Sequence, residues 1–308
     1  MSEIDLSVNL GGIRMDNPVT VASGTFGYGS EYAELIDVTR LGAITVKGIR
    51  NCPWDGNALP RHVEVPGGMV NAIGLQGPGV DGFVDKYMPF LQEKGVPVIV
   101  NIWGTSVHEY CEVAKKLSDV EGVSGLELNI SCPNVKEGGN AFGTDPRTVA
   151  ELVSAVRSST TLPLLPKLAP NVPDIRVFVQ ASQDSGADAI ALINTIPAMV
   201  IDIESRRPVL SNKVGGLSGP AVHPVAVKLV WEASQVASVP LLAMGGISSA
   251  KQAVEFMIAG ATAVAVGTAN FIDPSTPLKV IKGIEEYLLS HGMSSAGELT
   301  GSIVLDGT

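Results

Sequence analysis

Residues 241–269 read LLAMGGISSAKQAVEFMIAGATAVAVGTA. The stretch holds two apolar runs, at 241–244 and 263–266, that are each followed directly by glycine and are separated by a helix-like segment at 250–259. Apolar runs without alternation are typical of parallel strands that are buried on both faces. A strand, a helix and a second strand in this order predict a right-handed crossover that brings both strand ends to the same edge.

The same alternation runs through the whole chain of 308 residues. Eight apolar runs of strand length occur at 19–22, 43–46, 96–100, 125–128, 164–166, 189–193, 241–244 and 263–266. Helix-like segments between them include 31–39, 108–118, 146–158, 174–185, 224–237 and 250–259, with N-caps expected at Ser106, Asp145 and Ser248. The pattern predicts an α/β fold, a single (β/α)8 TIM barrel, in one domain over residues 1–308.

Three hairpins are expected outside the barrel. One, at 6–10 and 13–15 around Gly11-Gly12, precedes the first strand and is expected to plug the amino-terminal end. The interval 48–95 contains a hairpin at 61–70 with a Pro-Gly-Gly turn, and the interval 196–223 contains a strand pair at 200–203 and 208–210. Both intervals follow a strand, so these inserted hairpins should rise from the C-terminal face, where barrel active sites are built.

The residues that follow the eight runs predict a polar ligand site. In order they are Ser23, Lys47, Asn101, Asn129, Lys167, Asn194, Gly245 and Gly267. Burying polar groups at six strand ends costs several kcal/mol unless a partner is present, and a bound polar ligand would supply that partner. The glycines after the last two strands allow backbone amides to approach an anion closely, as in barrel phosphate sites.

Composition narrows the class of protein. The net charge of −10 and the sequence pI near 4.9 argue against binding to nucleic acid or to an anionic membrane surface. Three cysteines, Cys52, Cys111 and Cys132, match no disulfide framework and no metal motif. No signal peptide or membrane span is visible, so a cytoplasmic protein is expected. Cys132 lies in a polar loop after a strand, a setting in which a thiol can act as a base.

At these residues the chain resembles the dihydroorotate dehydrogenases of class 1, which are FMN-containing barrels of pyrimidine biosynthesis. The likeness extends from Asn17 to Asn270. It rests on Ala22-Ser23-Gly24-Thr25-Phe26-Gly27, Val46-Lys47-Gly48, Asn71-Ala72-Ile73-Gly74-Leu75-Gln76, Asn129-Ile130-Ser131-Cys132-Pro133-Asn134, Gly215-Gly216-Leu217-Ser218-Gly219 and Gly245-Gly246-Ile247. The resemblance implies an oxidoreductase that converts (S)-dihydroorotate to orotate.

The resemblance also implies a role for each matching residue. Cys132 would be the base that takes the C5 proton, while a hydride leaves C6 for FMN. Lys167 would lie beside the flavin N1–C2=O edge, and the glycine-rich segment 135–140 would be a lid. FMN would contact Ser23, Lys47, Gly48, Asn101, Asn129, Lys167, Ile193, Gly219, Gly245, Gly246, Gly267 and Thr268. The pyrimidine would contact Lys47, Asn71, Ala72, Ile73, Gly74, Leu75, Asn129, Asn194 and Thr195.

The electron acceptor is a separate question. The motifs at 71–76 and 132–139 resemble the NAD-linked branch, class 1B, in which a homodimer core joins an electron-transfer subunit carrying FAD and a [2Fe–2S] cluster in a heterotetramer. This chain has no G-x-G-x-x-G after a strand and too few cysteines for a four-thiolate cluster. NAD+ reduction would therefore occur on the partner. The alternative is a homodimer that passes electrons to fumarate.

Two readings from other classes stay open. A dihydropyrimidine or dihydrouridine reductase is also an FMN barrel and could share the phosphate glycines. It is not expected to combine the substrate elements at 71–75 with Asn194-Thr195. A catalytically silent barrel that serves only as a binding partner would tolerate the loss of Cys132 or Lys47, and both are present.

Overall fold

The computed structural model describes residues 4–130 and 142–305. Its described part contains an eight-stranded parallel sheet, whose order along the sheet is β3-β16-β15-β10-β9-β8-β7-β4. The strands are β1 (Val8–Leu10), β2 (Ile13–Met15), β3 (Val19–Val21), β4 (Ile44–Ile49), β5 (His62–Val65), β6 (Gly68–Asn71), β7 (Val98–Ile102), β8 (Val123–Asn129), β9 (Leu164–Leu168), β10 (Ile190–Leu192), β11 (Ile196–Met199), β12 (Ile201–Asp202), β13 (Arg207–Pro208), β14 (Val214–Ser218), β15 (Leu241–Met244) and β16 (Ala263–Val266).

The parallel sheet curls into a nearly closed barrel. Its first and last strands, β3 and β4, meet at a seam where the amide of Gly42 donates to the carbonyl of Val19 at 2.9 Å. The hydroxyl of Thr20 donates across the same seam to the carbonyl of Ala43 at 2.8 Å. All eight predicted strands are present with bounds within three residues, so the predicted barrel is confirmed.

Side chains alternate between the two faces of each barrel strand. Ile99, Leu165 and Leu242 face the interior and form one buried cluster with hairpin residues that include Leu10 and Ile13. Such alternation follows from the two-residue period of a strand. The hairpin of β1 and β2 therefore plugs the amino-terminal end as predicted, and a side chain at Gly125 would meet Ile13 at 2.5 Å. The outward side chains pack under the helices in a larger cluster.

Helices cover the outside of the barrel. They are α1 (Gly79–Lys86), α2 (Met88–Lys94), α3 (Val107–Ser118), α4 (Pro146–Arg157), α5 (Ile175–Asp184), α6 (His223–Ser234), α7 (Ala250–Ile258), α8 (Ala269–Ile272) and α9 (Thr276–Ser290). The predicted N-caps are confirmed at Ser106, whose hydroxyl accepts from the amide of Glu109, and at Asp145, whose carboxylate accepts from the amide of Arg147. The N-cap predicted at Ser248 is wrong, because α7 is preceded by Ser249.

One predicted helix is also wrong. Residues 31–39 form successive turns and a short 3-10 helix, Val38–Arg40. The turns are held by three-residue hydrogen bonds such as Tyr32 N–H to Gly29 O at 3.1 Å. The Asp37 carboxylate accepts from the amide of Thr39, and a local bond of this kind competes with continued helix.

The two predicted inserted hairpins are confirmed, and they combine in a way the sequence did not predict. β5 and β6 form the first hairpin, and β12 and β13 form the second. Two further strands, β11 and β14, pair with each other, and β14 also pairs with β6. The result is one four-stranded antiparallel sheet, β11-β14-β6-β5, to which both insertions contribute. Within the described ranges, no helix has the length and apolar character needed to span a membrane.

Candidate active site

A cavity of about 670 Å³ opens at the carboxyl ends of the barrel strands. This volume lies within the range of about 300–1,000 Å³ that is usual for cofactor and small-molecule sites. The ends of the barrel strands and the loops that follow them form one side of the cavity, which we call the floor. The antiparallel sheet and the loop 71–75 form the other side, which we call the wall.

The floor is built from the residues that follow the predicted apolar runs. All eight of these residues line the cavity: Ser23, Lys47, Asn101, Asn129, Lys167, Asn194, Gly245 and Gly267. They meet because parallel strands end at the same edge of a barrel. The carboxamides of Asn129 and Asn194 contact each other, with Nδ2 of Asn194 donating to Oδ1 of Asn129 at 3.3 Å.

A group of buried polar side chains lies in the barrel interior beneath the cavity. Glu127 Oε1 accepts from Nδ2 of Asn101 at 2.5 Å and lies 3.5 Å from Nζ of Lys167. Nζ of Lys167 also lies 3.5 Å from Oγ of Ser23. Asn101, Lys167 and Ser23 line the cavity, whereas Glu127 is fully buried below them. The floor therefore presents one cation that is already paired within the protein.

Lys47 has a different environment. Its ammonium makes no ion pair or hydrogen bond with any residue that the structure describes, although it lines the cavity. Burial lowers the pKa of Lys47, the charge of Arg61 lowers it further, and Glu31 acts in the opposite direction. A half-buried ammonium of this kind is suited to an anionic ligand, because a ligand carboxylate would supply the missing counter-charge.

Glycines line the cavity after the wall strand β14 and after the barrel strands β15 and β16. Gly219, Gly245 and Gly246 have φ values of 102°, 142° and 69°, which side chains rarely adopt. Gly24 and Gly267 differ, because a Cβ at Gly24 would meet nothing within 4 Å and one at Gly267 would meet only Ala22, at 3.5 Å. A side chain at either position would instead enter the cavity. The floor thus fits a group that comes close to the backbone, as a phosphorylated cofactor does.

The wall loop is held from behind by residues of the first insertion. The indole Nε1 of Trp54 donates to the carbonyl of Gly74 at 3.0 Å, and Nδ2 of Asn57 donates to the carbonyl of Ala72 at 2.9 Å. Leu75 has a φ of 59°, an unusual conformation for a branched residue. Arg50 lies against the rings of Trp54 and Trp103, with its guanidinium carbon 5.0 and 4.8 Å from the two ring centroids.

The structure brings nearly all of the predicted site residues together. Each of the twelve residues predicted to contact FMN lines the cavity, and so do eight of the nine predicted to contact the pyrimidine. Ala72 is the ninth, and it does not line the cavity. Its side chain is fully buried beside Val70 and Leu210 in the core of the antiparallel sheet. Cys132 and the predicted lid at 135–140 lie outside the described residues.

Several lining residues were not singled out from the sequence as site residues. Gly24, Thr25, Leu217 and Ser218 belong to quoted family motifs, so a signal for them existed. Glu31, Tyr32, His62 and Phe271 had no such signal, and Glu31 was assigned to a helix that does not form. The Glu31 carboxylate instead accepts from the amide of Tyr28 at 3.0 Å, which fixes the turn after Gly27 at the cavity edge.

Comparison with known proteins agrees with the motifs. A family model described as dihydroorotate dehydrogenase matches residues 5–288. The chain is 53% identical over 303 residues to the dihydroorotate dehydrogenase B (NAD(+)) catalytic subunit of Geotalea daltonii, covering 98% of this chain and 99% of that protein. It is 52% identical to the protein of the same name from Geotalea uraniireducens (99% and 100% covered) and 49% identical to the one from Thermoanaerobacter pseudethanolicus (98% and 100% covered).

Proposed function

The chain belongs to the dihydroorotate dehydrogenase family, and we propose that it is a catalytic subunit that oxidises (S)-dihydroorotate to orotate in pyrimidine biosynthesis. One structural observation carries the proposal. A single cavity gathers two lysines, four asparagines and several glycines at the mouth of a parallel barrel. Amides and cations suit a ring that has both donors and acceptors and carries a carboxylate.

The family is FMN-dependent, and the floor fits that cofactor. When bound, the cofactor would supply an acceptor for the hydride that leaves C6 of the substrate. The glycines and Thr268 would lie at the phosphate, and the backbone of Gly267 can be approached closely, since a Cβ there would meet only Ala22, at 3.5 Å. Asn101, Asn129 and Lys167 would hold the ring from the floor.

The substrate would bind between the floor and the wall. The Lys47 ammonium would pair with the substrate carboxylate, because it has no partner among the described residues and faces the cavity. Asn71, Asn194 and Thr195 would hydrogen-bond the amide edges of the ring, and the loop residues Ile73, Gly74 and Leu75 would cover it. Ala72 would serve through its backbone, which fixes the loop to Arg61 and Asn57.

Cys132 is proposed as the base that removes the C5 proton. Two observations support this role. The sequence places the thiol in the family motif Asn129–Asn134, and Asn129, three residues earlier, lines the cavity. A thiol with an ordinary pKa of ~8.5 is a better proton acceptor near neutral pH than a hydroxyl. The proposed lid at 135–140 would exclude water during this transfer.

The role of Cys132 predicts a kinetic effect without a binding effect. Cys132→Ala should keep FMN and orotate binding but slow anaerobic flavin reduction at least ~10²-fold, which is typical of a lost general base. Stopped-flow absorbance measures the rate in a single turnover. Cys52→Ala is the matched control, because Cys52 is a free, exposed thiol away from the cavity lining. Near-normal reduction in Cys132→Ala would contradict the role.

The whole proposal is tested by the colour of the purified protein. It should carry a yellow flavin that dihydroorotate bleaches under anaerobic conditions and that orotate perturbs without bleaching. Dihydrouracil and dihydrouridine should leave the colour unchanged, because they lack the carboxylate that Lys47 would bind. A bound flavin that is bleached by dihydrouracil and not by dihydroorotate would favour a different reductase.

The electron acceptor and the partner are part of the proposal. The relatives named above are catalytic subunits of NAD+-linked enzymes, which supports a second subunit for this chain as well. We infer a cytoplasmic heterotetramer, in which a homodimer of this chain joins subunits that carry FAD and a [2Fe–2S] cluster and reduce NAD+. Copurification with an iron–sulfur flavoprotein tests this assembly. Turnover by the isolated chain with fumarate would support the alternative acceptor.

A further inference from the structure

Glu127 is a buried carboxylate that the proposed mechanism does not use. It lies in β8, and its side chain is fully buried in the barrel interior. Its neighbours across the sheet explain this position. Asn101 is its register partner on β7, and Lys167 on β9 is the partner of Asn129, two residues further along β8. The three side chains therefore point to the same side of the sheet.

One oxygen of Glu127 contacts both cavity-lining neighbours. Oε1 accepts from Nδ2 of Asn101 at 2.5 Å and lies 3.5 Å from Nζ of Lys167. A carboxylate can only accept, so it fixes which end of the Asn101 carboxamide faces down. The Asn101 Oδ1 is left on the side of Gly48, where a Cβ would lie 2.9 Å from it. Glu127 thus makes Asn101 present an acceptor at the floor.

A carboxylate at the buried position 127 is better explained by a ligand in the cavity above it than by a contribution to the stability of the barrel. Replacing a buried ion pair by apolar residues is often neutral or stabilising, so such a pair is weak evidence for a structural role. Ile99 and Leu165, two positions before Asn101 and Lys167 on their strands, are apolar and belong to the buried interior cluster. The Glu127 carboxylate instead contacts Asn101 and Lys167, which both line the cavity.

We propose that Glu127 is a positioning residue that sets the reduction potential of the bound flavin through Lys167 and Asn101. This inference rests on the proposed function. A cation beside the flavin ring stabilises the reduced, negatively charged form, and the Glu127 carboxylate opposes that effect from below. With Glu127 beside it, Lys167 would stabilise the reduced flavin less strongly, so that the electrons could continue from the flavin to a further acceptor.

Glu127→Gln tests the inference because it removes the charge and keeps the shape. The midpoint potential of bound FMN should rise by at least about 30 mV. For a two-electron couple, this shift favours the reduced form about tenfold. Reduction by dihydroorotate should be retained, while reoxidation by the partner or by a dye of low potential should slow. Glu93→Gln is the control, since it removes a charge on α2 whose side chain is 73% exposed and should leave the potential unchanged.

A purely structural role would give a different result. It would lower the thermal stability and the FMN content of Glu127→Gln without changing the potential of the FMN that remains bound, and that outcome would overturn the inference. If wild-type protein fails to bind FMN or is not bleached by dihydroorotate, the proposed function itself fails. An unshifted potential in a variant that is still bleached by dihydroorotate counts against Glu127 alone.

A second comparison covers the case in which Glu127→Gln does not fold. Lys167→Met leaves the carboxylate without its cation, whereas the double variant Glu127→Gln/Lys167→Met removes both charges. If Glu127 and Lys167 form an ion pair, the double variant should melt at a higher temperature than Lys167→Met, because an uncompensated buried charge is strongly destabilising. An equal or lower melting temperature for the double variant would refute the pairing.

Discussion

The floor and the wall of the cavity are made in different ways. Each floor residue stands at or near the carboxyl end of a separate barrel strand, and six of the eight strands have a parallel neighbour on both sides. The wall depends on one antiparallel sheet and a loop that crosses from β6 toward α1. Asn101 and Lys167 of the floor are buried, Lys47 and Asn194 of the floor are partly exposed, and so are Asn71 and Leu75 of the wall. In the proposed function most of the cofactor contacts come from the floor, whereas the substrate lies between the floor and the wall.

The strongest test of this separation fills the floor. Gly267→Val would place a side chain in the cavity, because the nearest protein atom to a Cβ there is that of Ala22 at 3.5 Å. Overpacking against a ligand costs about 1–3 kcal/mol, so the dissociation constant for FMN should rise about 5- to 150-fold. Fluorescence titration of the ligand-free protein with FMN measures it.

Thermal unfolding of the same ligand-free protein provides the control. The melting temperature of Gly267→Val should stay close to that of the wild type, since no protein contact is violated. A large drop would mean that the position serves the barrel itself, and the assignment of this part of the floor to the cofactor would be wrong.

A wall variant should show the reverse pattern. Asn71→Ala removes a carboxamide that lines the cavity and makes a long contact, 3.4 Å, to the carbonyl of Gly216. Losing a ligand hydrogen bond costs about 0.5–1.5 kcal/mol, so the KM for dihydroorotate should rise about 2- to 10-fold with FMN content unchanged. Steady-state kinetics measure the KM, and Asn171→Ala, at an exposed position, is the matched control. Loss of FMN in Asn71→Ala would contradict the separation.

The wall can also be loosened without touching the cavity surface. Trp54→Phe removes the hydrogen bond from Nε1 to the carbonyl of Gly74 and keeps an aromatic ring against Arg50. We expect a rise in KM of a few fold, at the lower end of the cost of one hydrogen bond. The proteolysis rate of the loop 71–77 should increase in parallel. An unchanged KM with faster proteolysis would mean that the loop position does not limit substrate binding.

Lys47 belongs to the floor, but the pKa of its ammonium depends on Arg61 of the first insertion. A change in this pKa should have the smallest effect on binding and stability near neutral pH. Burial lowers the pKa of Lys47, and Arg61 of the first insertion adds to the shift. The folded protein then loses this proton at a lower pH than the unfolded chain, whose lysine has a pKa of ~10.4. Between the two values the unfolded state binds more protons, so the ligand-free protein gains stability as the pH rises.

Orotate binding should show the opposite trend. The protonated Lys47 pairs with the carboxylate, so orotate affinity falls as the pH rises through the pKa of Lys47 in the ligand-free protein. Calorimetry over an alkaline pH series measures the affinity, and denaturant unfolding measures the stability. Lys47→Met should abolish both trends, and Arg61→Gln should move both to higher pH. Identical pH profiles in wild type and Lys47→Met would remove Lys47 from this role.

The sequence predicted the floor more fully than the wall, for a physical reason. An apolar run followed by Lys47, Asn101 or Lys167 predicts both a strand and the position where it nears its end. Closure of the parallel sheet into a barrel then brings these positions together. The pairing of β6 with β14 leaves no comparable pattern, because strands with half-exposed faces and several glycines do not specify a partner. Ala72 illustrates the limit: the motif included it, but the pleat turns its side chain into the core of the sheet.

Glu127 shows a second limit. Its place between Leu126 and Leu128 in an apolar strand was visible, but its role depends on neighbours from β7 and β9 that only the folded barrel supplies. The positions of Glu31 and His62 at the cavity depend in the same way on a turn and on an edge strand whose paths could not be predicted from the sequence. The resemblance to a family carried the substrate assignment, since no general rule links Asn71 or Thr195 to a pyrimidine.

The contact between β6 and β14 also bears on how the chain acquires its shape. Asn71 and Gly216 are 145 residues apart, and four barrel strands, β7 to β10, are synthesised between them. Contacts this distant in the chain form late, because ordering so long an intervening segment is entropically costly. During translation β6 can pair with β5 but not with β14, which is synthesised later. A nascent chain that stalls in this interval exposes the unpaired edge of β6 to other chains.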